Sequence, residues 1–265
     1  MSDTHTTNEP HAIILAAGKG TRMGSDLPKV CHEVGGRPMV CAVVDACLDA
    51  GCARVVVVVG YQQGLVRDAL EGYGARVDFA VQEAQLGTGH AVMSARGAFE
   101  GVDPATDIFV LCGDGPLIRP GTLTGLLAAH REAGAAATLA TSRIGDPTGY
   151  GRIVRDAGGS LARIVEHKNA TEAERAIREV NPSYYCVRCA PLFSALDRVG
   201  RDELTGEYYI TDIFELLLAD GERVEVVDSV DPEDILSINT PEQLARVDGI
   251  FRARVAGAGA QGVGS

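Results

Sequence analysis

The sequence is poor in the features that mark several classes of protein. Only 5% of its 265 residues are aromatic, and its seven cysteines are an odd number, too few for a small secreted domain held together by disulfides. The polar amino terminus has neither the basic start nor the apolar stretch of a signal peptide. No apolar run approaches the roughly 20 residues that span a bilayer. We therefore expect a cytoplasmic protein that has no membrane partner.

Basic residues are also scarce. The chain has 24 Lys and Arg against 36 Asp and Glu, which gives a formal net charge of −12, and no basic patch interrupts this balance. Because an acidic surface repels phosphate backbones, we expect no nucleic-acid partner. The apolar content of 46% is ordinary for a globular protein and argues against a disordered chain. At this length a compact chain buries about three quarters of its unfolded surface, enough for a substantial core.

The first half of the chain alternates between two kinds of pattern. Continuous apolar runs, typical of strands covered on both faces of a parallel sheet, occupy residues 12–16, 55–59 and 108–111, and residues 77–81 can form a further strand. Helical patterns follow them at 38–50, 63–70, 88–99 and 123–130. This alternation predicts an α/β fold with a doubly wound, mostly parallel sheet and right-handed crossovers.

Beyond residue 135 the pattern changes to strands with fewer helices between them. We predict strands at 137–141, 151–155, 161–165 and 184–187, forming a smaller mixed region, and then helices at 209–219 and 241–255 around a strand at 224–227. The predicted domain spans 11–255. Residues 1–10 are expected to be a disordered leader, and the Gly/Ala-rich residues 256–265 a flexible tail.

A glycine-rich stretch, residues 15–24, follows the first predicted strand. Its glycines allow a backbone turn that brings several N–H groups to an anion, and Arg22 and Lys29 add positive charge nearby. The alternatives are a plain tight turn, a dinucleotide-binding loop and a Walker A loop. Met23 occupies the third small position of a dinucleotide loop, and no Gly-Lys-Ser/Thr completes a Walker A motif. Phosphate binding is the favoured interpretation.

Five segments in order carry a more specific resemblance. They are LAAGKGTRM with DLPK (residues 15–23 and 26–29), QEAQLGTGHA (82–91), DPTGYGRI (146–153), IVEHK (164–168) and GEYYITD (206–212). In this order they resemble sugar-1-phosphate nucleotidyltransferases. The chain is similar above all to the uridylyltransferase domain of bacterial bifunctional N-acetylglucosamine-1-phosphate uridylyltransferase/glucosamine-1-phosphate acetyltransferases.

The resemblance implies a Rossmann-like nucleotidyltransferase fold, with a nucleotide half at about 11–135 and a sugar-binding half at about 136–240. The implied reaction is a Mg²⁺-dependent transfer of UMP from UTP to N-acetylglucosamine 1-phosphate, giving UDP-N-acetylglucosamine and pyrophosphate. A phosphate monoester has its second pKa near 6, so the nucleophile needs no side-chain base. We expect no left-handed β-helix and hence no acetyl transfer. Two positions depart from the family pattern: Cys112 replaces a common Tyr, and Asn181-Pro182-Ser183 replaces Asn-Thr-Gly.

The resemblance also implies roles for individual residues. The implied catalytic residues are Arg22, Lys29 and Asp114. The implied metal ligands are Asp114 and Asn239. The implied nucleotide-binding residues are Leu15, Ala16, Ala17, Gly18, Gln82, Gly87 and Thr88. The implied sugar-binding residues are Cys112, Gly113, Gly151, Glu166, Asn181 and Asn239.

Taken alone, several of these residues have simpler interpretations. Asp114 can be a turn residue before Pro116, and Asn239 can cap the last predicted helix. His90 and His167 are interpreted as structural or positioning residues, since the nucleophile needs no base. Cys186 and Cys189 have zinc-like spacing but no second pair, which favours free thiols.

Three other functions remain as alternatives. The same fold can use a different sugar phosphate or nucleotide, for example a molybdopterin nucleotide. A nicotinamide oxidoreductase is disfavoured by Met23. A catalytically silent nucleotide-binding regulator has no need of Lys29, Asp114 and Asn239. The sequence leaves the oligomeric state open.

Overall fold

The computed structural model describes residues 9–228 and 230–261, with side chains up to residue 257. Its strands are β1 (His11–Leu15), β2 (Glu33–Val34), β3 (Arg37–Pro38), β4 (Arg54–Val59), β5 (Val77–Val81), β6 (Asp107–Cys112), β7 (Ala137–Ala140), β8 (Ser142–Arg143), β9 (Gly151–Arg155), β10 (Leu161–Val165), β11 (Glu179–Asn181), β12 (Tyr184–Arg188) and β13 (Val224–Val227). Its helices are α1 (Met39–Asp49), α2 (Gln63–Leu70), α3 (Thr88–Ser94), α4 (Pro120–Ala133), α5 (Glu172–Arg175), α6 (Cys189–Leu196), α7 (Asp212–Ala219) and α8 (Pro241–Gln261).

Seven strands form one large sheet in the order β13-β7-β12-β6-β1-β4-β5. Its pairs are parallel except where β12 lies antiparallel between β6 and β7. The apolar runs are buried on both faces, as predicted: Val55 to Val59 in β4 are fully buried. One face packs against α1 and α4, and the other against α3, α6 and α7. The predicted α/β fold with a doubly wound, mostly parallel sheet is confirmed.

The second sheet is smaller and antiparallel, in the order β10-β9-β11-β8. Only two of the four strands predicted for the smaller region lie in it. The other two, β7 and β12, belong to the large sheet, so that part of the prediction is wrong. Both are apolar and buried throughout most of their length, which suits the centre of a sheet, but nothing local indicates that β12 pairs with β6. The boundary predicted near residue 135 therefore does not separate two sheets.

The helices differ from the prediction mainly at their ends. The predicted helix at 88–99 divides into α3 and a 3₁₀ turn at Arg96–Phe99, and α6 was not predicted. Helix α8 continues to Gln261, so the first six residues of the predicted flexible tail are helical. Residues 1–8 of the predicted leader and 262–265 of the tail lie outside the described residues. Within the part of the chain that the structure describes, no helix is both long and apolar enough to cross a bilayer.

The parallel strands bring distant segments to one edge of the large sheet. Leu15, at the end of β1, pairs with Cys112 at the end of β6 and with Val58 in β4. Val81, at the end of β5, pairs with Val59. The carboxyl ends of open parallel sheets are where ligands bind. The glycine-rich loop, the residues after Cys112 and the residues after Val81 all start from this edge.

Candidate active site

A cavity of about 320 Å³ opens at this edge. Ten residues singled out by the sequence line it: Leu15, Ala16, Ala17, Gly18, Lys29, Gln82, Gly87, Thr88, Cys112 and Asp114. They come from the ends of β1, β5 and β6 and from the loops that follow. The structure thus brings together every predicted nucleotide-binding residue and two of the predicted catalytic ones.

The glycine-rich loop is held close to the sheet and to Lys29. The backbone N–H of Ala16 donates to Val58 O, at 2.9 Å. Gly20 has φ +70°, and a Cβ there would lie 2.5 Å from Cβ of Lys29. Only glycine therefore lets the loop turn this tightly against the lysine. The turn fixes the stem of Lys29 and directs its ammonium group towards β6.

Four side chains form what we call the charged corner: Arg22, Lys29, Asp114 and Asn239. The ammonium group of Lys29 donates to the Asp114 carboxylate and, at 3.0 Å, to Asn239 Oδ1. Arg22 donates to the same amide oxygen at 2.9 Å. The Lys29 and Asp114 side chains are only 18% and 15% exposed, so solvent screens their attraction incompletely. Asn239 reaches the corner because Ile238 N donates to the backbone carbonyl of Asp114, at 3.0 Å.

The charged corner has a suitable donor set for a divalent cation. A carboxylate oxygen of Asp114 and the amide oxygen of Asn239 converge on one point, the Lys29 nitrogen. Hard oxygen ligands of this kind, with substrate phosphates and water completing the shell, are those that Mg²⁺ prefers. Asp114 and Asn239 therefore fit the role of metal ligands.

A different cluster of three ligand types lies at the opposite end of β6. Asp107, His130 and Cys186 are buried within 4.8 Å of one another, the one such cluster among the described residues. Two of the three groups already have protein partners: Arg131 donates to Asp107 at 2.7 Å, and His130 contacts Thr138 Oγ1 at 2.8 Å. Burial also raises the pKa of the Cys186 thiol well above its usual range. A neutral thiol is a poor ligand for Mg²⁺, and this cluster does not share the cavity.

Gln82, Gly87 and Thr88 form a second surface of the cavity, which we call the amide wall. The side-chain nitrogen of Gln82 donates to Gly87 O at 3.0 Å, and the residue is 3% exposed. Gly87 has φ +100°, and a Cβ there would lie 2.5 Å from Tyr208 O. The hydroxyl of Thr88 accepts from Ile210 N at 3.1 Å. The wall is therefore neutral and fixed by backbone groups.

Cys112 and Gly113 link the two surfaces. Cys112 lines the cavity, and burial, followed by the nearby Asp114 charge, raises the pKa of its thiol to about 12. The thiol therefore stays neutral at physiological pH. A Cβ on Gly113 would lie 3.1 Å from Leu15 O, so the absence of a side chain lets β6 leave the sheet close to β1.

The predicted sugar-binding residues of the small sheet do not line this cavity. Gly151 pairs with Asn181 across β9 and β11. The Asn181 amide donates to Tyr185 Oη at 2.6 Å and accepts from Ser183 N at 3.0 Å. This second bond supports a turn in which Ser183, in place of the family's Gly, has φ +63°. Asn181 thus already has partners of its own in the turn.

Glu166, at the end of β10, accepts a hydrogen bond from Thr211 Oγ1 at 3.2 Å. Burial, as the largest cause, raises the pKa of its carboxyl group. Four residues before Thr211, Glu207 lines the cavity. The GEYYITD segment therefore runs from the cavity wall to Glu166.

Sequence reasoning missed several contributors to this site. Glu207 and Gln85 line the cavity, and both lie in motifs that the sequence already singled out.

His90 contacts the Gln82 side chain at 3.1 Å. His167 lies beside Arg152 at 3.2 Å, where burial and then the Arg152 charge lower its pKa. The positioning or structural roles of the two histidines stay predictions.

Comparison with known proteins gives consistent matches over most of the chain. Residues 12–205 match the family described as the MobA-like NTP transferase domain. "Bifunctional protein GlmU" of Geobacter metallireducens is 48% identical over 244 residues, which cover 92% of this chain and 51% of that protein. The protein of the same name in Brevibacillus brevis is 46% identical over 245 residues, covering 92% and 52%. The chain thus spans about half the length of the curated relatives it matches.

A solved structure shows the same fold at much lower sequence identity. The crystal structure of UDP-glucose pyrophosphorylase complexed with UDP-glucose aligns with a TM-score of 0.74 and 16% identity, covering 93% of this chain and 99% of that one. The Rossmann-like nucleotidyltransferase fold predicted from the sequence is thereby confirmed.

Proposed function

This chain belongs to the MobA-like NTP transferase family and is a nucleotidyltransferase, and from that premise we propose that it transfers UMP from UTP to N-acetylglucosamine 1-phosphate. The products are UDP-N-acetylglucosamine and pyrophosphate, and the proposed cofactor is Mg²⁺. Support for the substrates comes from the five motif segments, which resemble the uridylyltransferase domain of the bifunctional enzymes, and from the match of this chain to about half of the proteins named "Bifunctional protein GlmU". UTP and sugar phosphates are cytoplasmic metabolites, in keeping with the predicted location.

One observation carries this proposal: Lys29 and Asp114 of the charged corner line the same cavity as the three residues of the amide wall. Lys29 and Asp114 supply charge at one end, where a polyphosphate and a metal need it. Gln82 and Thr88 supply neutral hydrogen-bonding groups at the other, where a base needs them. A nucleoside triphosphate has these two ends in the same order.

The proposed reaction is an in-line displacement at the α-phosphorus of UTP. An oxygen of the sugar phosphate forms a bond to that phosphorus, and the bond to the bridging oxygen breaks, so pyrophosphate leaves with the electron pair. The main obstacle is repulsion between two polyanions. Lys29, close to the α-phosphate, and Arg22, close to the β- and γ-phosphates, offset this repulsion electrostatically. Alignment of the two bound reactants contributes about 7–11 kcal/mol more.

Asp114 and Asn239 would hold the metal ion. When bound there, Mg²⁺ supplies positive charge to the phosphate oxygens as negative charge builds on them. The sugar is proposed to extend from Cys112 and Gly113 towards Glu166, whose carboxylate accepts hydrogen bonds from hydroxyl groups. Gly151 and Asn181 shape that side through the small sheet.

The experiment is a substrate panel. The purified protein is incubated with Mg²⁺, each of the common nucleoside triphosphates and several sugar 1-phosphates, and the nucleotide products are identified by mass. We expect UDP-N-acetylglucosamine and equimolar pyrophosphate, and neither when the metal is chelated. A different nucleotide sugar would support the alternative of another substrate on the same fold. UTP binding without turnover of any acceptor would support a silent regulator and contradict the proposal.

A further inference from the structure

We propose that His90 is a positioning residue that fixes the side-chain amide of Gln82 and so favours uracil over cytosine. The inference rests on the proposed function, because it assumes that the base lies on the amide wall. His90 lies in the first turn of α3, three residues after Gly87. Its Nδ1 is 3.1 Å from the side-chain nitrogen of Gln82.

The two contacts of the Gln82 nitrogen determine how the amide is oriented. Gly87 O, at 3.0 Å, is a carbonyl and can only accept, so it requires the NH₂ end of the amide. His90 Nδ1 is then also an acceptor, which places the ring proton on Nε2. An amide NH₂ has two hydrogens, and these two acceptors use both.

The amide oxygen of Gln82 is consequently the group that remains for a ligand. Among the described residues no group donates a hydrogen bond to Gln82 Oε1, although the residue is 3% exposed and lines the cavity. This oxygen can accept a hydrogen bond from a ligand in the cavity. The Gln82 side chain therefore offers the base a hydrogen-bond acceptor and no donor.

This arrangement discriminates between the two pyrimidines by their N3 atoms. Uracil has a hydrogen at N3 and can donate to Gln82 Oε1. Cytosine has a lone pair at N3, which would face the oxygen as acceptor against acceptor. Without His90, only Gly87 O holds the NH₂ end in place, so a flipped amide that offers its NH₂ group to the cytosine N3 becomes less costly. His90 thus disfavours the binding of cytosine, which is a repulsive contribution to specificity.

The surroundings of His90 keep this geometry fixed. Tyr208 N donates to Leu86 O at 2.8 Å, and Gly89 N donates to Tyr208 O at 2.7 Å, so the start of α3 is tied to the segment at 208. The His90 ring also lies beside the Tyr208 ring, with 6.3 Å between centroids. These contacts therefore hold the His90 ring, and with it Nδ1, in place.

The test compares three variants by kcat/KM for UTP and for CTP. His90→Leu removes the acceptor, and we expect the UTP/CTP ratio to fall about tenfold, as when one polar contact of a specificity site is lost. His90→Asn keeps an acceptor oxygen near the place of Nδ1, and we expect it to restore most of the ratio. Ser94→Ala, on the same helix, removes only a hydroxyl that donates to the backbone carbonyl of His90, and we expect no change. An unchanged ratio in a folded His90→Leu protein would overturn the inference.

A second measurement does not depend on a variant that folds or on turnover. The ¹⁵N spectrum of the histidine rings in the wild-type protein reports the tautomer of His90, and we expect the proton on Nε2. A proton on Nδ1 would contradict the proposed amide orientation. If the wild-type protein turns over UTP but the UTP/CTP ratio is unchanged in His90→Leu, this inference alone is refuted. A wild-type protein that turns over neither nucleotide refutes the proposed function and the base preference that rests on it.

Discussion

Lys29 and Asp114 of the charged corner line the same cavity as the amide wall, yet the corner and the wall are built in different ways. The corner collects Arg22, Lys29, Asp114 and Asn239 from distant parts of the chain, and these groups satisfy one another. The wall comes mainly from the stretch after β5, and its groups are tied to backbone carbonyls and N–H groups. Under the proposed function, the paired charges exchange partners when phosphate and metal bind, whereas the wall is held by the backbone and keeps its shape. The difference suits chemistry at one end and recognition at the other.

Among the variants of the charged corner and the amide wall, we expect the largest loss of activity when the carboxylate of Asp114 is removed. We expect Asp114→Ala to lower kcat by at least a hundredfold, about 3 kcal/mol or more of transition-state stabilisation, with little change in melting temperature. Asp26→Ala is the matched control, because Asp26 follows the same loop but its side chain is 92% exposed and, among the described residues, forms an ion pair with Lys19 alone, at 3.8 Å. Steady-state release of pyrophosphate measures both. Turnover of Asp114→Ala within a few-fold of wild type would remove the residue from the site.

The two cations of the corner should differ from each other. Lys29 is mostly buried and donates to both Asp114 and Asn239, whereas Arg22 is exposed and donates to Asn239. We expect Lys29→Ala to lower kcat about a hundredfold, and Arg22→Ala to have an effect about ten times smaller, because solvent screens the exposed charge. The same assay ranks the two variants. A larger effect at Arg22 would reverse the assigned roles.

The wall should respond to backbone strain rather than to loss of charge. Gly87→Ala places a Cβ 2.5 Å from Tyr208 O at φ +100°, so we expect a loss of about 2 kcal/mol or more in the free energy of unfolding and a higher KM for UTP. In Gly125→Ala, a helical site in α4 with no atom within 4 Å, we expect equal or greater stability. Urea unfolding measures both. A fully stable Gly87→Ala protein would show that the wall is not fixed by its backbone.

Glu166, at the end of β10 in the small sheet, differs from the carboxylate of the charged corner. Burial, as the largest cause, raises the pKa of its carboxyl group. A carboxyl group with a raised folded-state pKa binds its proton more tightly when folded, so its ionised form destabilises the fold at high pH. Stability from the protonated form is present at low pH and lost as the pH rises through the folded pKa. We expect Glu166→Gln to be more stable than wild type at pH 8, with the difference disappearing by about pH 4.

Thermal melts across this pH range measure the effect. Glu172→Gln, at an exposed site in α5, is the control and should show no such trend. If Glu166→Gln loses stability at pH 8, the carboxylate has a stabilising partner that this account omits.

The smallest effect is expected at the turn beside Asn181. Ser183 has φ +63°, a conformation that L residues with a side chain rarely adopt. We expect Ser183→Gly to add about 0.5–1 kcal/mol to the free energy of unfolding without changing kcat, since the turn supports the small sheet and not the charged corner. Urea unfolding and the pyrophosphate assay test the two halves of this statement. A large change in kcat would mean that the turn reaches the reacting groups.

The strands of the fold differ in how well the sequence alone could predict them. The run at Val55–Val59 is apolar on both faces, and that pattern is enough to identify a central parallel strand. Strand β11 is different, because its Glu179 is 2% exposed and neutralised by Arg143 and Arg155 from β8 and β9. A buried charge of this kind is stable only with its partners, and sequence spacing does not show them.

The candidate site divides in a similar way. Leu15 and Asp114 could be placed near each other because Leu15 ends β1 and Asp114 follows β6, the neighbouring parallel strand. Asn239 meets Lys29 across 210 residues of chain, and only the family resemblance suggested that contact. The link between His90 and Gln82 depends on the φ of Gly87, which no pattern of residue types expresses.

The most direct test of the central claim is a crystal structure with Mg²⁺ and a UTP analogue that carries a methylene group between the α- and β-phosphates. We expect the uracil N3–H to donate to Gln82 Oε1, the α-phosphate to lie beside Lys29, and the metal to be bound by Asp114 and Asn239. A triphosphate bound away from this cavity, or a base resting on the charged corner, would contradict the account.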